Sequence, residues 1–148
     1  MNMTKLSFHR RPMPIFANYR PLYKIAKLLL VLHISSRGGK STLVRLQLFN
    51  WVLKESERKD LLRKAAKNGI LNVSVWGLDP SLNSATQFAL AEGLVNRSGS
   101  SIAITEKGRD YIKSLLELES LGEDVDFLRE IGKGITESMV TKTSESWG

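Results

Sequence analysis

With 148 residues, the chain has enough material for one proper core with an arm or helix appended, and too little for two full domains. Its 42% apolar and 25% charged residues are ordinary globular values, and the absence of cysteine excludes disulfides, thiolate metal sites and thiol nucleophiles. The net charge of +7 is uneven: residues 1–68 carry fifteen Lys/Arg against three Asp/Glu, residues 69–148 seven against twelve, so a basic half suited to phosphates or acidic surfaces faces an acidic one.

Residues 1–20 hold Arg10, Arg11, Pro12 and Pro14 without helical or strand period and read as an extended basic arm. Prolines and Arg20 interrupt it and no apolar run follows, so no secretory signal is expected and a cytoplasmic location is. Leu22, Ile25, Leu29 and Leu32 recur at helical spacing behind Pro21, which predicts a helix to about Ile34. This stretch, with Lys27 and His33 inside it, is far short of the roughly 20 apolar residues of a membrane span. Ser35 to Lys40 breaks it.

Ser41 or Thr42 can cap a second helix whose stripe of Leu43, Leu46, Phe49 and Leu53 is widened by Val44, Leu48, Trp51 and Val52. So broad an arc belongs either in the middle of the domain or under another subunit, and Leu48, Trp51 and Val52 are candidates for a partner interface. A charged stretch leads into a third helix through Leu61, Leu62, Ala65 and Ala66, ended by Asn68-Gly69. Leu71, Val73 and Val75 alternate with polar residues and Trp76, which predicts a short half-buried strand. After a turn at Gly77 to Pro80, Ser81 to Glu92 reads as a helix.

Leu94 to Arg97 and Ser101 to Ile104, joined by Ser98-Gly99-Ser100, predict a hairpin. Thr105 then caps a helix with Tyr111, Ile112, Leu115 and Leu116. Helix, two-stranded wing, helix is the order of a winged helix-turn-helix, and the fold class expected is mainly α with a small β-hairpin wing. Residues 21–120 would form that domain. Residues 121–148 would add an acidic amphipathic helix, with Val125, Leu128 and Ile131 as further interface candidates, and a loose tail from Thr141.

Catalytic and cofactor chemistry are not expected. Arg37 to Thr42 ends like a phosphate loop, but Ile34 stands where the first glycine should and a helix rather than a strand precedes it. His9 and His33 have no thiol to complete a soft-metal site, and the acidic run Glu117, Glu119, Glu123, Asp124, Asp126 and Glu130 lacks calcium-loop spacing and reads as a solvated face. In a winged helix the helix before the wing enters the major groove, and Asn83, Ser84, Thr86 and Gln87 suit base reading. Yet no Lys or Arg lies between Gly77 and Asn96, which leaves the positioning charges missing. The candidates for non-specific backbone contact are instead Arg37, Lys40, Arg58, Lys59, Arg63, Lys64, Lys67 and Arg97.

The stretches Pro21-Leu22-Tyr23-Lys24-Ile25, Arg37-Gly38-Gly39-Lys40-Ser41, Asp79 to Asn83, Leu90 to Val95 and Thr105-Glu106-Lys107-Gly108 resemble the middle component of ABC-three-component systems, bacterial anti-phage operons of the Lamassu type. The resemblance covers about residues 20–118. It implies a non-catalytic accessory subunit that links an SMC/Rad50-like coiled-coil ATPase to an effector, often a nuclease, in a complex that senses foreign DNA. The alternative is an autonomous winged-helix transcriptional regulator.

Overall fold

The structure, a computed structural model, describes residues 20–73 and 76–146; the expected arm lies outside them but for its last residue. Among the described residues are seven α-helices and a three-stranded antiparallel sheet. The chain runs α1 (Arg20–Ile34), β1 (Lys40–Thr42), α2 (Leu43–Val52), α3 (Ser56–Asn68), α4 (Pro80–Ala91), β2 (Val95–Ser98), β3 (Ser101–Ile104), α5 (Glu106–Leu115), α6 (Gly122–Ile131) and α7 (Glu137–Glu145). None of these helices is long and apolar enough to cross a membrane.

Local chemistry sets most boundaries. Thr42 caps α2 by accepting from the Arg45 backbone N–H, Asp79 caps α4 through Ser81 N–H, and Thr105 caps α5 through Gly108 N–H. Gly69 ends α3 in the left-handed region at φ 77°. β3 lies between its neighbours: Val95 to Ser98 pair with Ile104 to Ser101, and Lys40, Ser41 and Thr42 pair with Ala103, Ile102 and Ser101. The expected two-stranded wing thus gains a third strand from the loop after α1.

The structure corrects the reading of Ser35 to Lys40 as a plain break, since Lys40 opens β1, and places the cap of α2 at Thr42. It also corrects the strand expected at 71–76: Leu71 to Val73 and Trp76 form no strand, and Ser74 and Val75 lie outside the described residues. Leu71, Val73 and Trp76 are buried although they belong to no ladder, with Asn72 exposed between the first two. The Leu71 carbonyl accepts instead from the Thr143 hydroxyl at 3.2 Å.

α1 is the central element. It packs against α2, α4, α5 and α6, and Leu29, Leu30 and Leu32 are wholly buried. The order α1–β1–α2–α4–β2–β3–α5 is compatible with a winged-helix-like layout, with α3 intervening between α2 and α4. α6 packs on α1 and α3, and its Val125, Phe127 and Leu128 belong to the same core cluster as Leu48 and Phe49. The segment from 137 is helical rather than loose: the Thr136 hydroxyl accepts from Met139 N–H, and Ile135 and Val140 enter the core. Its apolar stripe is too thin to register as a period among the surrounding polar residues.

The sharp path into β1 depends on glycine. Gly39 adopts φ 71°, and a Cβ there would overlap the Arg109 guanidinium and come within 2.8 Å of Ile104 Cγ2. Arg109 in turn donates to His33 Nδ1 at 2.9 Å, tying the start of α5 to the end of α1.

Candidate functional site

The exposed surface of α4 faces a cleft shared with α1. The cleft measures about 760 Å³ and is lined by Leu22, Tyr23, Lys24, Lys54, Asp79 and Phe88, among others. Leu22 is 47% and Phe88 49% exposed, two large apolar side chains left in water on opposite walls.

Asp79 builds the floor. Its backbone N–H donates to Gln47 Oε1 at 2.8 Å and its carbonyl accepts from Gln47 Nε2 at 3.1 Å, which fixes the turn onto α2. Its carboxylate accepts from Lys24 at 2.7 Å, Lys54 at 3.2 Å, Asn50 at 3.1 Å and the Ser81 backbone and hydroxyl. Burial pushes the carboxyl pKa up, but the hydrogen bonds from Lys24, Ser81 and Asn50 outweigh it and hold Asp79 well below the usual carboxylate range. Two ammonium groups share this one carboxylate, so the cleft keeps a positive surplus.

A second carboxylate repeats the arrangement. Asp124 on α6, only 6% exposed, accepts from Lys27 and Lys59 at 3.1 Å each. It is therefore no member of a solvated acidic face, and Lys59 is no surface candidate for phosphate contact. Arg63 is likewise engaged, with Glu130 at 2.9 Å and Asp60 at 2.7 Å, above the Phe127 ring. The acidic C-terminal segment thus engages Lys59 and Arg63 of the basic third helix within the chain. Arg58 stacks on Trp51 with 4.3 Å to the ring centroid, donates to the Trp51 carbonyl and pairs with Glu55.

The remaining backbone-contact candidates are exposed: Lys64 and Lys67 on α3, Arg97 on β2, Arg37 before the sheet and Lys40 at the start of β1. Arg37 and Lys40 line a second cleft of about 400 Å³ with Arg45, Lys133 and Glu137.

The interface candidates change most. Leu48 and Val52 are 0% exposed, and Val125, Leu128 and Ile131 are also buried in the chain's own core. Of the two explanations for the broad stripe on α2, the central position in the domain is the one found. α6 turns its apolar side to α1 and α3, which covers the stripe that looked available for a partner. Trp51 alone of these six stays half-buried. On α4, Asn83, Ser84 and Gln87 are exposed, whereas Thr86 is buried and donates back to the Leu82 carbonyl at 2.8 Å.

Sequence reasoning missed the Lys24–Asn50–Lys54–Asp79 cluster, Arg45 and Lys133. Lys24 and Lys27 within an otherwise apolar helix were the one visible signal, since a charge there needs a partner. Among the described residues no group of three His, Asp or Glu side chains is placed to hold a metal ion. Comparison with known protein families, curated proteins and solved structures gave no match.

Proposed function

We propose that this chain is a cytoplasmic winged-helix accessory subunit that grips a polypeptide through its α1–α4 cleft, joining an SMC/Rad50-like ATPase to an effector in an anti-phage complex. The observation that carries the reading is the character of the α4 face: no Lys or Arg from Gly77 to Asn96, and Phe88 about half exposed beside a cleft with Leu22 on its other wall. A helix entering a major groove needs cations on the flanking phosphates. A docked polypeptide needs an apolar anchor site with a polar rim, which Leu22 and Phe88 with Lys24 and Lys54 supply. An acidic, apolar helix of the ATPase's coiled coil fits that rim by charge. No catalytic step is assigned to the chain.

The exposed Asn83, Ser84 and Gln87 favour the second reading, a DNA-reading regulator. Co-expression of the tagged chain with a coiled-coil SMC/Rad50-like ATPase from the same genome separates the two. The bridging subunit co-purifies with that ATPase, and Phe88→Glu abolishes the association while leaving thermal stability unchanged. Retardation of its own upstream DNA at nanomolar protein, with steep sequence preference lost in the Asn83→Ala/Gln87→Ala double variant, would establish the regulator instead.

A further inference from the structure

We infer that the cleft between the Arg37–Thr42 segment and the start of α7 is a binding site for the phosphodiester backbone of nucleic acid, held by Arg37, Lys40 and Lys133 without regard to sequence. The site is independent of the α1–α4 cleft and of the bridging role assigned to it.

The ion pairs among the described residues take up Lys24, Lys27, Lys54, Arg58, Lys59 and Arg63. None takes up Arg37, Lys40 or Lys133, all exposed, although the three line one cleft of about 400 Å³. Below them lies Arg45, 3% exposed. Its guanidinium donates to the Ser35 and Ile135 carbonyls and to the Ser36 hydroxyl, which are neutral acceptors, so its charge reaches the cleft uncancelled by any direct ion pair. Burial brings the Arg45 pKa down to about 10, with Glu137 opposing, and it remains a cation at neutral pH.

Glu137 is the one acidic side chain lining the cleft. Both of its oxygens are engaged by Thr42, one by the backbone N–H at 3.0 Å and the other by the hydroxyl at 2.8 Å. Four cations against one engaged carboxylate leave a surplus that attracts an anion.

The lining also selects the kind of anion. Besides the charged groups it offers the hydroxyls of Ser101, Thr136 and Ser138, with Ile135 as its apolar member. Hydroxyls and cations suit phosphate oxygens, whereas a docked polypeptide would require apolar anchors. Lys40 stands in register with Ala103 and Asn96, so the site opens at the sheet rather than along the helix α4.

The test is fluorescence anisotropy of a labelled duplex of about 20 base pairs of arbitrary sequence with the full chain, titrated across a series of salt concentrations. The wild-type protein binds in low salt irrespective of sequence. The Arg37→Gln/Lys40→Gln/Lys133→Gln variant binds on the order of tenfold or more weakly, and its slope of log affinity against log salt flattens by about 2 to 3. Lys64→Gln/Lys67→Gln changes the slope by less than about 1. Thermal melting of each variant shows that the fold is retained, as expected for exposed positions. An unchanged slope in the triple variant, or no wild-type binding in low salt, overturns the assignment. So does competition by poly-glutamate or by anionic lipid vesicles as effective as that of duplex at equal charge.

Discussion

Asp79 shows how much one side chain organises. It caps α4, pairs with Lys24 of α1 and Lys54 of the α2–α3 connection, and through its backbone fastens the preceding turn to Gln47. Replacing it with alanine removes the cap and strands both ammonium groups beside each other, at a cost of about 1–3 kcal/mol. Its carboxyl pKa lies below the unfolded value of about 4, so the stability it contributes is fully present above that pH and is lost as pH falls further. Urea unfolding should therefore show the gap between wild type and Asp79→Asn narrowing from pH 6 to pH 3. Asp79 was legible as a turn residue before Pro80, but its partners come from positions 29 and 55 residues away, a separation that no local pattern encodes.

At the level of elements, the helices whose apolar residues recur strongly and whose ends carry Thr, Asp or Gly were readable. α1, α2, α4, α5 and α6 lie within two residues of expectation, because caps and periodicity are local physics. β1 and α7 were not. β1 is three residues long and is held as a strand by β3, some sixty positions later, and α7 carries its apolar contact on Val140 and the residues around it. What covers a stripe is equally invisible in one dimension: Val125, Leu128 and Ile131 advertise an apolar face without saying that α1 and α3 receive it. Because Leu48 on α2 and Leu128 on α6 are both fully buried, Leu48→Ala and Leu128→Ala each lower unfolding free energy by about 2–5 kcal/mol in the isolated chain. Losses below about 0.5 kcal/mol would return these residues to a surface role.

For the whole molecule, the charge asymmetry read from composition is real in sequence, and among the described residues it is partly closed in space. Asp124 and Glu130 from the acidic segment reach Lys27, Lys59 and Arg63 of the basic one, so the expected interaction surface on α3 shrinks to Lys64 and Lys67. Among the described residues two clefts of different character keep a positive surplus, one with apolar walls and one lined by hydroxyls, while Lys64, Lys67 and Arg97 stand outside both. Because one core cluster includes residues from Ile25 to Val140, thermal unfolding is expected as a single transition in which tryptophan fluorescence and circular dichroism coincide. Two separated transitions would mean that α6 and α7 form a unit of their own.

The pairing of an early basic segment with late acidic partners bears on how the protein is made. A ribosome delivers Lys27, Lys59 and Arg63 long before Asp124 and Glu130, and it delivers α1 and α2 before α6 and α7, which pack on them. Until then the growing chain carries uncompensated cations beside open apolar surface, the condition that recruits holdases and invites adventitious RNA. Closure is a late act of synthesis, and lesions in the final thirty residues should reveal themselves as poor yield before they appear as altered binding.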